Sequence, residues 1–134
     1  MKSIGKYGEY RVLANLLELD IEAYQAINLN QPDFDITAIL DSGKVVRIQV
    51  KSTELHNQAT NNPIDRIDKE YHFLVVVIFE GQGIARFFVL SKEEAIMEKG
   101  TNKQLGVTQQ RKKVSQVKDC LIQYEDQWNK IVNA

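Results

Sequence analysis

Four side chains within the first 51 residues are of the types that metal-assisted phosphodiester chemistry uses: Glu9, Asp35, Gln49 and Lys51. Hydrolysis of a phosphodiester needs a divalent cation to offset charge on the phosphate oxygens and to lower the pKa of an attacking water. Mg²⁺ takes oxygen ligands and keeps several waters, so one or two carboxylates with a carbonyl suffice. Asp35, the Gln49 side-chain oxygen and the Val50 backbone carbonyl supply that set, with Glu9 as a further carboxylate. An ammonium such as Lys51 can orient or help deprotonate the water and balance developing charge. Asp33, two residues before Asp35, shares its parity and is the second choice for the same position.

The elements that must position these groups follow from periodicity. Ile4 to Leu19 carries Tyr7, Tyr10, Leu13, Leu16 and Leu17 at helical spacing, which predicts an amphipathic helix bearing Glu9. Ala23 to Leu29 reads as a first strand running into the Asn30-Gln31-Pro32 turn. Phe34 to Leu40 and Lys44 to Ser52 form a hairpin turned by Asp41-Ser42-Gly43. With a period of two, Gln49 and Lys51 share one face with Arg47, whereas Val46, Ile48 and Val50 fill the other. The end of the second hairpin strand then faces the segment around Asp33 and Asp35.

Further along, 56–68 is polar and reads as a loop with room for one helical turn. Phe73 to Phe79 is apolar at every position, which predicts a central strand covered on both faces. Gly81-Gln82-Gly83 turns the chain into a strand from Ala85 to Leu90. Ser91 and Glu94 form a capping box opening a helix to about Lys99, ended by Gly100. Thr101 to Gln110 reads as a loop, and Val114, Val117, Leu121, Tyr124, Trp128 and Ile131 recur at spacings that predict a C-terminal helix. The order of elements gives a mixed α/β, or α+β, domain spanning 1–134, with about five strands in one sheet flanked by helices.

Bulk properties narrow the function classes. With 43% apolar and 26% charged residues, the composition is that of a globular chain. No apolar run approaches the roughly 20 residues that span a bilayer, and the first residues lack a secretory pattern. A single cysteine, Cys120, excludes an internal disulfide framework and fits a cytoplasmic location; its apolar neighbours favour a packed thiol. His56 and His72 belong to no Cys/His cluster that would hold zinc, and Gly81-x-Gly83 lacks the Lys-Ser/Thr of a phosphate loop.

A net charge of −1 argues against coating of nucleic acid by bulk electrostatics. Charge is nonetheless segregated: Lys99, Lys103, Arg111, Lys112, Lys113 and Lys118 lie in a stretch free of Asp and Glu, while 9–41 is predominantly acidic. Arg111, Lys112, Lys113 and Ser52 are accordingly candidates for contact with a phosphate backbone. Each candidate also has a purely structural alternative: a turn cap for Asp35, a satisfied strand polar group for Gln49, a snorkelling end for Lys51, an ion pair for Glu9, and a solvated helix start for Arg111 to Lys113.

In order along the chain, Gly8-Glu9, Pro32-Asp33-Phe34-Asp35 and Ile48-Gln49-Val50-Lys51-Ser52-Thr53 resemble the PD-(D/E)xK nuclease superfamily, in a variant with Gln at the second acid position. Tyr124-Glu125-Asp126-Gln127-Trp128 is similar to the closing helix of some small members. The resemblance implies a restriction-endonuclease-like or Holliday-junction-resolvase-like fold and a helical Glu at Glu9. It further implies a metal site of Mg²⁺ or Mn²⁺ at Asp35 and Gln49, with Lys51 beside it, and DNA as substrate. Symmetric cutting of a duplex by so small a domain favours a homodimer. The rival expectation is a nuclease-fold protein that no longer cuts and serves as a nucleic-acid-binding or protein-interaction subunit, because Gln49 lowers the site's negative charge by one.

Overall fold

A computed structural model describes residues 3–26, 34–55, 63–64, 67, 69–81 and 83–134. Asp33 and His56, and most of the expected 56–68 loop, lie outside the described residues, as does Gln82 in the expected turn after Phe79. The chain begins with helix α1 (Ile4–Glu18) and continues through β1 (Glu22–Gln25), β2 (Ile36–Ile39) and β3 (Val45–Glu54). A short β4 (Pro63–Ile64) precedes β5 (Phe73–Gly81), β6 (Ile84–Ser91) and helix α2 (Lys92–Lys99). The chain closes with β7 (Leu105–Gly106), β8 (Thr108–Arg111), β9 (Val114–Val117), a 3₁₀ helix (Asp119–Tyr124) and α3 (Asn129–Val132).

Five strands form the main sheet in the order β1-β2-β3-β5-β6, antiparallel except for the β3–β5 pair. The fold is therefore mixed α+β around one mixed sheet, as the pattern of elements leads one to expect. Gly43 makes the β2–β3 turn possible: its φ of 87° is a region that side chains rarely adopt, and its N–H closes the turn on the Leu40 carbonyl.

The two faces of the sheet carry two cores. Val12 and Leu16 of α1 pack against Ile36, Ile48, Val75 and Val77. On the opposite face Leu74, Val76, Ile78, Phe88 and Leu90 meet α2 and the C-terminal segment through Ala95, Val107, Val117 and Leu121. Phe73 to Phe79 is buried at every position, so the strand is covered on both sides as its unbroken apolar run requires. It lies beside β3, which occupies the centre of the order. The capping box of α2 is complete: Glu94 N–H donates to Ser91 Oγ, and Ser91 N–H donates to Glu94 Oε1. Among the described residues no helix is long and apolar enough to cross a membrane.

Two expectations are corrected. The 101–110 stretch contains β7, paired with β4, and the first arm of a second hairpin. The continuous C-terminal helix is replaced by β9, the 3₁₀ helix and α3. The physical reason lies at Lys112 and Lys113, whose φ angles of 52° and 66° build a two-residue turn and send Val114 back as a strand. Val117, Leu121, Tyr124 and Ile131 do face the interior, but a strand, a three-residue-per-turn helix and a separate α turn deliver them there. Val114, counted as the start of the helical stripe, is 60% exposed.

Candidate functional site

Strand β2 pairs with β3 only along Val45 to Ile48. Among the described residues the β2 side of β3 is open beyond that point, and Asp35 sits where the pairing stops. Its backbone is fixed from both sides: Asp35 N–H donates to the Ile48 carbonyl, and its own carbonyl accepts from Ala26 N–H. Its side chain takes the place of the missing strand. Val50 N–H donates to Asp35 Oδ2 at 2.7 Å, and Gln49 Nε2 donates to the same oxygen at 3.0 Å.

The peptide groups of one strand residue point to the same side. The Val50 carbonyl is therefore directed to the open edge on which its N–H meets Asp35. Gln49 is 5% exposed and, with Thr108, makes up the buried polar residues among those described. Its Nε2 is satisfied by Asp35, but its Oε1 is buried with no hydrogen-bond partner. Such an orphaned acceptor costs roughly 1–3 kcal/mol unless something occupies it. It is an oxygen donor beside a carboxylate and a free-edge carbonyl, which is the donor set a hard divalent cation takes.

Glu9 arrives from α1. Its side chain is 16% exposed, lies 3.6 Å from Lys6 Nζ, and is within hydrogen-bonding reach of Asp35. Burial raises the pKa of Glu9, and the neighbouring Asp35 charge raises it further against the opposing pull of Lys6. Burial also raises the pKa of Asp35, outweighing the Val50 N–H, Lys51 and Lys6. Each carboxyl therefore sits above its ordinary range, Glu9 first by burial and then by the charge of Asp35, and Asp35 chiefly by burial. A positive charge placed beside two such acids would lower both values.

The approach of α1 depends on Gly8. A Cβ there would lie 1.9 Å from Ser52 Oγ and 3.1 Å from Ser52 Cβ, so helix and strand touch backbone to side chain. Ser52 Oγ is itself buried and unpartnered, which places this hydroxyl in the α1–β3 packing.

Sequence spacing thus brings Glu9, Asp35, Gln49 and Val50 to one edge, with the Lys51 charge acting on Asp35 through space. Asp33 lies outside the described residues. Lys6 is the participant that sequence reasoning missed; its i, i+3 spacing from Glu9 on a helix was the available signal. Arg111, Lys112 and Lys113 stand at the exposed tip of the β8–β9 hairpin rather than at a helix start, and Arg111 Nη2 bonds Asp119 Oδ2 at 2.7 Å. His72 is a strand-edge residue whose Nδ1 accepts from Arg47 N–H. Among the described residues no group of three or more His, Cys, Asp or Glu could hold a metal, so any cation here relies on amide and backbone oxygen as well as the two acids.

Sheet and flanking helices together form a mixed α+β domain. Among solved structures it is similar to that of a bacterial homing endonuclease, I-Ssp6803I, with a TM-score of 0.69 at 15% sequence identity over 99% of this chain and 93% of that one. At that identity the likeness is one of fold. No protein-family model matches the sequence, and no curated protein matches it.

Proposed function

We propose that this chain, 1–134, is a single PD-(D/E)xK-type domain that hydrolyses phosphodiester bonds in DNA as a metal-dependent endonuclease. The observation that carries this reading is the buried, unpartnered Gln49 Oε1 beside Asp35 at the open edge of β3. The shared fold with a homing endonuclease supports it. Asp35, Gln49 Oε1 and the Val50 carbonyl, with Glu9, would hold Mg²⁺ or Mn²⁺. When bound, the cation supplies charge stabilisation at the phosphate and a more acidic water.

The chain's own groups do the rest. Two donors hold Asp35 in one orientation, so the carboxylate does not have to be ordered when the substrate arrives. Lys51, on the Gln49 face of β3, presents an ammonium that orients the attacking water and offsets charge at the phosphate. Lys6 offsets the charge of Glu9 and Asp35 from the helix side. Lys112 and Lys113 contact backbone phosphates. Paired copies of the chain would place a site on each strand of a duplex.

Incubation of the purified chain with duplex, branched and single-stranded DNA in Mg²⁺ or Mn²⁺ tests this. Cleavage is expected, and Asp35→Ala and Lys51→Ala are each expected to reduce it by at least about 100-fold. Intact DNA in every case refutes the activity, and cleavage that survives both substitutions refutes the site.

One observation favours the non-cutting alternative: Gln49 Nε2 donates to an Asp35 oxygen for which a cation would have to compete. Metal titration separates the two readings. Binding that disappears in Asp35→Ala supports the enzyme, and no binding at millimolar Mg²⁺ supports a nucleic-acid-binding or protein-interaction subunit.

A further inference from the structure

The β8–β9 hairpin stands on the sheet face that also carries Gln49 and Lys51, because Val117 at its base packs with Leu74 and Val76, the β5 partners of those two residues. From that base it runs outward for four paired residues on each arm, a reach of about 13 Å at about 3.3 Å per residue. It is a separate two-stranded sheet, and its composition is unlike that of the main one. The arms read Thr108-Gln109-Gln110-Arg111 and Val114-Ser115-Gln116-Val117, joined by Lys112-Lys113, with no acid anywhere in the ribbon.

Pairing sorts these side chains onto two faces. Arg111 and Gln109 share one, and both engage Asp119: Arg111 through its guanidinium, Gln109 by accepting from the Asp119 N–H. The other face carries Thr108 and Val117, both buried at the base, and then the cross-strand pair Gln110–Ser115. Among the described residues no hydrogen bond restrains the side chain of Gln110 or Ser115, and Gln110 is exposed. Both carry a donor and an acceptor.

We infer that this ribbon enters the major groove of duplex DNA, with Gln110 and Ser115 meeting base edges and Lys112 and Lys113 meeting the flanking phosphates. The major groove, about 12 Å wide and about 8.5 Å deep, admits a two-stranded ribbon of this reach. Glutamine pairs in two-point fashion with the N6 and N7 edge of adenine, and serine accepts either pattern. Two lysines forced outward by a tight turn, with no acid beside them in the ribbon, supply the charge complementarity. The inference rests on the nuclease reading for the choice of DNA and adds that the cut is directed by sequence.

Selection from a random duplex library with the wild-type chain in EDTA, followed by fluorescence anisotropy, tests it without requiring cleavage. A preferred site is expected. Gln110→Ala should relax one position of that site by about tenfold, and Ser115→Ala should relax a neighbouring one. Lys112→Ala and Lys113→Ala should instead weaken binding to all sequences and lower the salt slope by about one each. Unchanged preference in Gln110→Ala and Ser115→Ala overturns the inference, as does equal affinity for duplex RNA, whose narrow major groove excludes side chains. Failure to bind any duplex overturns it as well. Ribbon-dependent binding with no cutting in Mg²⁺ would sink the nuclease and leave the ribbon standing. Cutting that is indifferent to all four substitutions would do the reverse.

Discussion

Half-buried Asp35 facing a second carboxylate is an unfavourable arrangement without a cation, and this tension makes opposite predictions for two isosteric changes. Asp35→Asn keeps an oxygen for Val50 N–H and Gln49 Nε2 and gains an amide that can donate to Glu9. The metal-free variant should melt a few degrees higher than wild type at neutral pH, the size of shift that about 1 kcal/mol produces in such a domain. Mg²⁺ is expected to raise the melting temperature of the wild type and to leave that of this variant unchanged. Gln49→Glu removes a donor from Asp35 and adds a third acid, so the metal-free protein should melt lower while Mg²⁺ binds more tightly, since affinity follows ligand charge. Scanning calorimetry with and without Mg²⁺ measures both, and shifts of the same sign in the two variants would refute the assignment. Parity made the meeting of Asp35 with Gln49 legible in the sequence, because a strand repeats every two residues whatever surrounds it. The Arg86–Glu125 pair was not legible: its partners are 39 residues apart and meet only once β6 and the C-terminal segment have packed.

At the scale of elements, the α1–β3 contact decides whether Glu9 reaches the site. Gly8→Ala would force a methyl into Ser52, an overpacking that costs about 1–3 kcal/mol and pushes the helix, with Glu9, away from Asp35. Ser52→Ala removes the nearer obstacle, an oxygen that is buried without a partner, so alone it should be close to neutral. Combined with Gly8→Ala it should restore most of the lost stability; a double variant no more stable than Gly8→Ala alone in urea unfolding would count against this contact. The long elements were readable because α1 repeats its helical period along 15 residues and β5 is an unbroken apolar run. The C-terminal third was not, since β7, β8, β9 and α3 are each four residues or shorter. Over such lengths apolar residues spaced by three and four fit one helix as well as several short pieces. The left-handed turn at Lys112-Lys113 also lacks the Asn or Gly that usually announces it.

Across the whole molecule, two sets of carboxylates oppose each other as pH changes. Arg86 holds Glu125 at 2.8 Å through two nitrogens and Glu80 at 3.1 Å, fastening the C-terminal segment to β6. These bonds lower the pKa of Glu125. In Glu94 burial acts upward, but the Ser91 N–H and Lys130 outweigh it, so its pKa is lowered too. An acid whose folded pKa is depressed contributes stability that is present above its unfolded pKa and lost as pH falls through the folded one. Asp35 and Glu9 have raised values, so between their unfolded and folded pKa values the native state binds more protons and stability declines as pH rises. The metal-free protein should therefore gain stability as pH rises through the range where Glu125 and Glu94 ionise, then lose part of it as Asp35 and Glu9 ionise. Saturating Mg²⁺ should remove the second limb and leave the first, because the cation favours the ionised site. Glu125→Gln should flatten the acid limb and leave the second intact, whereas Asp35→Asn should do the opposite. Urea unfolding across this pH range, with Mg²⁺ and with EDTA, resolves the limbs, and a declining limb that persists unchanged in Asp35→Asn would show that the site carboxylates are not its source.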